Sequence, residues 1–195
     1  MPTIEERIRT FKADLENDAI TNEEIVNKYI SFGTPYIFQD DEGQYHRLKQ
    51  HIATKYSINN TEIIMIGSAK LGFSIAPIKI WKFFSDDSDI DVAIISESLF
   101  NLFWKELFDF NISLVIRTEQ EESKYRSFLE YFFKGWLRPD LFPFEFEQKW
   151  GWFDFFRGIS HEDFEGRKIA AAIFKEHFFF QRYHSRNIQE IRGGS

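Results

Sequence analysis

Between Ile63 and Ile95 the chain reads IIMIGSAKLGFSIAPIKIWKFFSDDSDIDVAII, and this stretch limits the possible folds more than any other. It opens with an apolar run, Ile63 to Ile66, of the length of a buried strand. Gly67-Ser68 breaks that run, and a second one, Ile90 to Ile95, follows with Asp89 and Asp91 at its mouth. Alternate residues of a strand share a face at a Cα spacing of roughly 6.5 Å. Asp89 and Asp91 are therefore expected to point together, with Ile90, Val92 and Ile94 turned into a core. Two carboxylates with no basic residue between them repel each other unless a cation joins them. Hard oxygen donors of this kind suit Mg²⁺ or Mn²⁺, ions that act in pairs in many phosphoryl and nucleotidyl transfers. Gly67 lets the backbone approach a phosphate chain closely, and Ser68 offers it a hydroxyl and an N–H.

An apolar strand, Gly-Ser, a short helix and then Ser-Asp-x-Asp opening the next strand resemble the signature of the DNA polymerase beta-like nucleotidyltransferases. Here the signature reads GSAKLGFS, Gly67 to Ser74, and SDIDVAII, Ser88 to Ile95. The similarity is greatest to bacterial members, both the minimal ones and those like oligoadenylate and cyclic-oligonucleotide synthases. It implies an α/β (mixed α+β) fold, a nucleotidyltransferase-type mixed sheet flanked by helices, with further helices at both ends of the chain. It also implies Asp89 and Asp91 as catalytic metal ligands for Mg²⁺ or Mn²⁺, and a nucleoside triphosphate as substrate. Gly67, Ser68, Lys70 and Ser88 would face the phosphates, and the acceptor would be the hydroxyl of an RNA end, a nucleotide or a protein. The segment from Gly72 to Ser88 is longer than in most members, which implies an extra hairpin or flap carrying Ile75 to Phe84. The family pattern asks for a third carboxylate on a strand beside the Asp-x-Asp strand. Asp140, in Asp140-Leu-Phe-Pro143, is the first candidate, although Pro139 cannot donate to a central ladder; Glu145 and Glu147 are its rivals. Without a third acid the resemblance points instead to a nucleotide-binding partner protein or antitoxin.

Other features set bounds. The chain of 195 residues contains 24 phenylalanines, so its interior relies on large flat side chains. It has no cysteine, which excludes disulfides and thiolate metal sites. MPTIEERIRTF places charges where a secretory signal needs an apolar core, and no apolar run reaches ~18 residues, so a cytoplasmic protein with no membrane span is expected. The net charge is −7, but Arg47, Lys49, Lys55, Lys70, Lys79 and Lys82 stand between Gly43 and Phe84 against Glu62 alone. A basic segment beside a carboxylate pair suits a triphosphate or a nucleic-acid end. Trp81, Phe83 and Phe84 would stack on a base while the interleaved Lys79 and Lys82 hold its phosphate, or the aromatics would simply pack on the core.

Read in order, the spacing predicts helices over Thr3 to Asn17, from the capping box Thr21 to Glu24, and over Gln44 to Tyr56. A short helix is expected over Ser68 to Phe73 and longer ones over Ser98 to Phe108, Glu119 to Trp136 and Lys175 to Ile191. Phe110 to Ile116 alternates as a strand, with Ile112, Leu114 and Ile116 on one face. Gly166 to Phe174 fits a last strand or the start of the final helix, its alanines favouring helix. A single domain over residues 1–192 follows, with a helical part to 57, a catalytic core over 58–120, a helix-rich part to 192 and a short tail, 193–195.

Overall fold

The sheet has its strands in the order β1–β2–β4–β3: β1 (Ile63–Ile66), β2 (Ile90–Ile95), β3 (Trp136–Leu137) and β4 (Ile169–Phe174). It belongs to a computed structural model that describes residues 2–112, 116–142, 145, 147–164 and 166–194. β1 runs antiparallel to β2, β2 parallel to β4, and β3 antiparallel to β4. The mixed sheet flanked by helices is thus the mixed α/β class expected.

Alternation along β2 assigns the two faces. Ile90, Val92 and Ile94 are buried in one core with Leu48 and Ile52 of α3 (Glu42–Tyr56), Phe100 and Phe103 of α5 (Glu97–Ile112), Phe128 of α6 (Glu119–Phe133) and Trp152 and Phe156 of α7 (Glu147–Asp163). Ala93 faces the second core, built from Phe11 of α1 (Ile4–Glu16), Ile25 of α2 (Asn22–Val26) and Phe180 and Ile188 of α8 (His177–Gly193). Each buried aromatic or aliphatic side chain contributes about 1.5–3 kcal/mol through area removed from water.

Local signals place the helix ends. Thr3, Thr21 and Thr118 each close a capping box, with Glu6, Glu24 and Glu121, at the start of α1, α2 and α6. Asp41 caps α3 through the Gln44 N–H at 2.9 Å. Arg192, near the end of α8, donates to Asn22 Oδ1 at 2.8 Å and to the Ile20 carbonyl at 2.7 Å, tying the last helix to the turn between the first two.

Several elements differ from the sequence expectation. Residues 110–112 continue α5 instead of starting a strand, while Leu114 and its neighbours at 113 and 115 lie outside the described residues. α6 stops at Phe133, because Gly135 takes φ +66° and Trp136–Leu137 joins the sheet. The alanine-rich Ile169–Phe174 is a strand: pairing with β2 on one side and β3 on the other outweighs alanine's helix propensity. Gly193, expected in the tail, ends α8. Among the described residues no helix is long and apolar enough to cross a membrane.

Candidate functional site

Gly67 follows β1 directly and opens α4 (Gly67–Leu71), a five-residue helix closed by Gly72 in the left-handed region, φ +89°. Gly67 itself has φ +69°, and a Cβ built on it would lie 2.6 Å from Asp91 Oδ2. The register explains this approach, because Ile66, the last residue of β1, pairs with Asp91. A side chain at position 67 would occupy the space now held by the carboxylate. Asp89 precedes β2 by one residue, and Asp89, Asp91, Gly67 and Ser68 all line one cleft of about 1100 Å³.

Asp91 is mostly enclosed, and its carboxyl is pushed up to about 6, first by burial and then by the charge of Asp89; Lys168, Arg138 and Lys79 pull it back. Asp89 has a cation of its own, since Lys168 Nζ lies 3.0 Å from its Oδ2. Lys168 reaches it because β4 runs parallel to β2, and the Ile90 N–H donates to the Lys168 carbonyl at 2.9 Å. The turn before Asp89 is clamped by Arg167, whose guanidinium donates to the Ser85 carbonyl at 2.8 Å, the Ser88 carbonyl at 3.2 Å and Asp86 Oδ1 at 3.1 Å. Ser88 Oγ accepts from the Ser85 N–H at 3.0 Å, so Ser88 closes that turn while also lining the cleft.

Lys70 is turned elsewhere. Its ammonium donates to the Phe32 carbonyl at 2.5 Å and to that of Gly33, and only 4% of the residue is exposed. Burial, then Arg7 and Lys49, bring its pKa down to about 8. With α4 only five residues long, its start faces the cleft while Lys70, near its end, meets the segment after α2.

The long segment after α4 is a hairpin, with Phe73 bridged to Phe83 and the Ser74 N–H donating to the Lys82 carbonyl at 2.8 Å. Trp81 adopts φ +64° and packs against Phe11 and Phe73 with Lys12 above its ring, so its indole belongs to the packing against α1. Lys79 and Lys82 line the cleft with the carboxylates, as does the half-exposed Phe83.

Asp140 lies in a single 3₁₀ turn, Pro139–Leu141, just past β3. Arg138 holds it in a fork, Nε to Oδ1 at 3.0 Å and Nη2 to Oδ2 at 2.6 Å. Asp140 does line the cleft, but β4 separates β3 from β2, and two strand spacings amount to about 10 Å. On β4, the strand next to β2, the residue opposite Asp91 is Ala170, which has no donor atom. Glu145 accepts from Lys149 Nζ and Trp150 Nε1, both at 2.6 Å, and Glu147 opens α7. Among the described residues no three His, Asp or Glu side chains gather as a metal cluster requires. A hard cation held between Asp89 and Asp91 would relieve both the burial of Asp91 and the repulsion between the pair. Mg²⁺ commonly takes one or two carboxylates and completes its shell with water and phosphate oxygens. A second ion would lack a carboxylate of its own.

Arg167 and Lys168 open a second basic stretch, Gly166 to Arg192, that the sequence sets on the far side of the carboxylate pair, but their contacts with the Asp89 turn and the role of Arg138 could not be read from it. Their place beside the carboxylates depends on β4 lying parallel to β2 and on Trp136–Leu137 being a strand, neither of which has a periodicity signal. Compared with known proteins, the chain matches no family model, no curated protein and no solved structure.

Proposed function

We propose that the protein is a metal-dependent nucleotidyltransferase that binds a nucleoside triphosphate in this cleft and moves its nucleoside monophosphate to an acceptor hydroxyl. The observation that carries this reading is the approach of Gly67 to Asp91, with no room for a Cβ between them. It joins a phosphate-compatible glycine-serine turn to a paired carboxylate. Asp89 and Asp91 would hold Mg²⁺ or Mn²⁺, which when bound neutralises charge on the triphosphate and polarises its α-phosphorus. The Gly67 backbone and Ser68 would orient the β- and γ-phosphates, leaving the α-phosphorus open to in-line attack. The acceptor oxygen forms a bond to phosphorus as the bond to the bridging oxygen breaks. Pyrophosphate leaves, and the hydroxyl proton passes to the carboxylate pair.

A second reading has its own observation. Ala170 stands opposite Asp91, and Arg138 engages Asp140 on both oxygens. A site that keeps a single metal ion supports binding of the triphosphate without turnover, as a partner protein or antitoxin would use it. Incubating the protein with each nucleoside triphosphate labelled at the α-phosphorus, with Mg²⁺ or Mn²⁺, separates the two. Label transferred to RNA, nucleotide or protein supports the transferase. Retention of unreacted triphosphate with no transfer to any acceptor supports the binding protein.

A further inference from the structure

Arg138 is braced on two sides. Asp140 takes its Nε and Nη2 hydrogens, and its Cζ lies 5.6 Å from the centroid of Trp136. Trp136 is itself fixed, stacked on Phe174 at 5.7 Å and packed against Tyr183 at 4.4 Å. A guanidinium has five N–H donors in one plane, so a carboxylate held by Nε and Nη2 leaves the two Nη1 hydrogens and the second Nη2 hydrogen, whose shared edge can grip another anion bidentately. A side chain held in this way loses little further freedom on binding. Arg138 shares its cleft with Lys79 from the hairpin and Lys168 from the start of β4.

We propose that Arg138, Lys168 and Lys79 form a cradle for a polyphosphate chain above the Asp89–Asp91 pair, and that Asp140 is a positioning residue that aims Arg138, not a metal ligand. The three cations come from three separate elements and line the same cleft as Asp89 and Asp91, with Lys168 Nζ 3.0 Å from Asp89 Oδ2. The arrangement of Asp140 supports its assignment, since both of its oxygens already accept from the guanidinium at 3.0 and 2.6 Å. The identity of the ligand as a nucleoside triphosphate rests on the function proposed above, whereas the cradle requires only linked phosphates.

The test compares two titrations of the full chain. Inorganic tripolyphosphate is titrated calorimetrically with EDTA present, and Mn²⁺ is titrated without anion and followed by electron paramagnetic resonance. Arg138→Gln should weaken tripolyphosphate binding about tenfold, the scale of one charge-assisted contact, and Asp140→Asn about threefold or more. Both should leave Mn²⁺ affinity within about twofold of wild type. Arg138→Lys and Asp140→Glu, which keep the charges, should recover part of the tripolyphosphate affinity and guard against a folding defect. Loss of Mn²⁺ binding in Asp140→Asn with tripolyphosphate binding intact would overturn the assignment, as would equal tripolyphosphate binding by all variants or none by wild type. Binding in the expected pattern by a protein that transfers no nucleotide upholds the cradle while removing the transferase reading.

Discussion

Gly67 and Asp91 stand so close that a Cβ on Gly67 would lie 2.6 Å from Asp91 Oδ2, and Gly67 is held at φ +69°. Antiparallel pairing of β1 with β2 makes the contact, by setting Ile66 opposite Asp91. Two segments more than twenty residues apart thus become one wall of the cleft.

Gly67→Ala should therefore affect both stability and binding. The left-handed backbone and the displaced carboxylate together should cost about 1–3 kcal/mol. Urea unfolding measures the first effect, and Mn²⁺ titration of the folded variant measures the second. Wild-type values in both would mean that the turn tolerates a side chain and that its closeness to Asp91 has no consequence.

Asp91 should make stability depend on pH. Its folded pKa, about 6, lies above its ordinary value of 3.8, so the folded state binds more protons between those limits. The stability associated with its protonated form is fully present below about 3.8 and is lost as pH rises through about 6. Asp91→Asn should then be more stable than wild type at pH 7.5 in EDTA, by about 3 kcal/mol, with the difference shrinking as pH falls toward 4. Denaturant unfolding at several pH values checks this. A pH-independent difference between the two proteins would contradict it.

Lys70 should behave as a structural residue. Its ammonium serves the Phe32 and Gly33 carbonyls, so Lys70→Met should lower stability by about 1–3 kcal/mol by leaving those acceptors unpaired. Once folded, the variant should still bind tripolyphosphate with wild-type affinity in a calorimetric titration. A large loss of affinity with unchanged stability would return Lys70 to the phosphates.

How much of this was legible in the sequence differs from element to element. Ile63–Ile66 and Ile90–Ile95 stood out because each is an apolar run with a chemical break at its end, and both are strands with those bounds. Thr3, Thr21 and Thr118 cap helices through purely local hydrogen bonds, which is why the box at Thr21 is legible from its four residues alone. The expected strand from Phe110 fails over 110–112, where α5 continues: a few alternating apolar residues fit either period when a helix is buried along one side. The direction of β4 could not be read, because Ala170 to Ala172 have little β preference and become a strand only through their neighbours. For that reason Lys168 beside Asp89, and Ala170 where a third acid was wanted, emerged only from the register.

Thermal unfolding with Mg²⁺ and a nucleoside triphosphate, for wild type and for the double variant Asp89→Ala, Asp91→Ala, tests the nucleotide site most directly. Wild type should melt at a higher temperature with both ligands present than with EDTA and triphosphate. The double variant, stripped of both carboxylates, should show no gain from the added metal. Equal metal-dependent stabilisation of the two proteins would contradict the site at Asp89 and Asp91 and place triphosphate binding elsewhere on the chain.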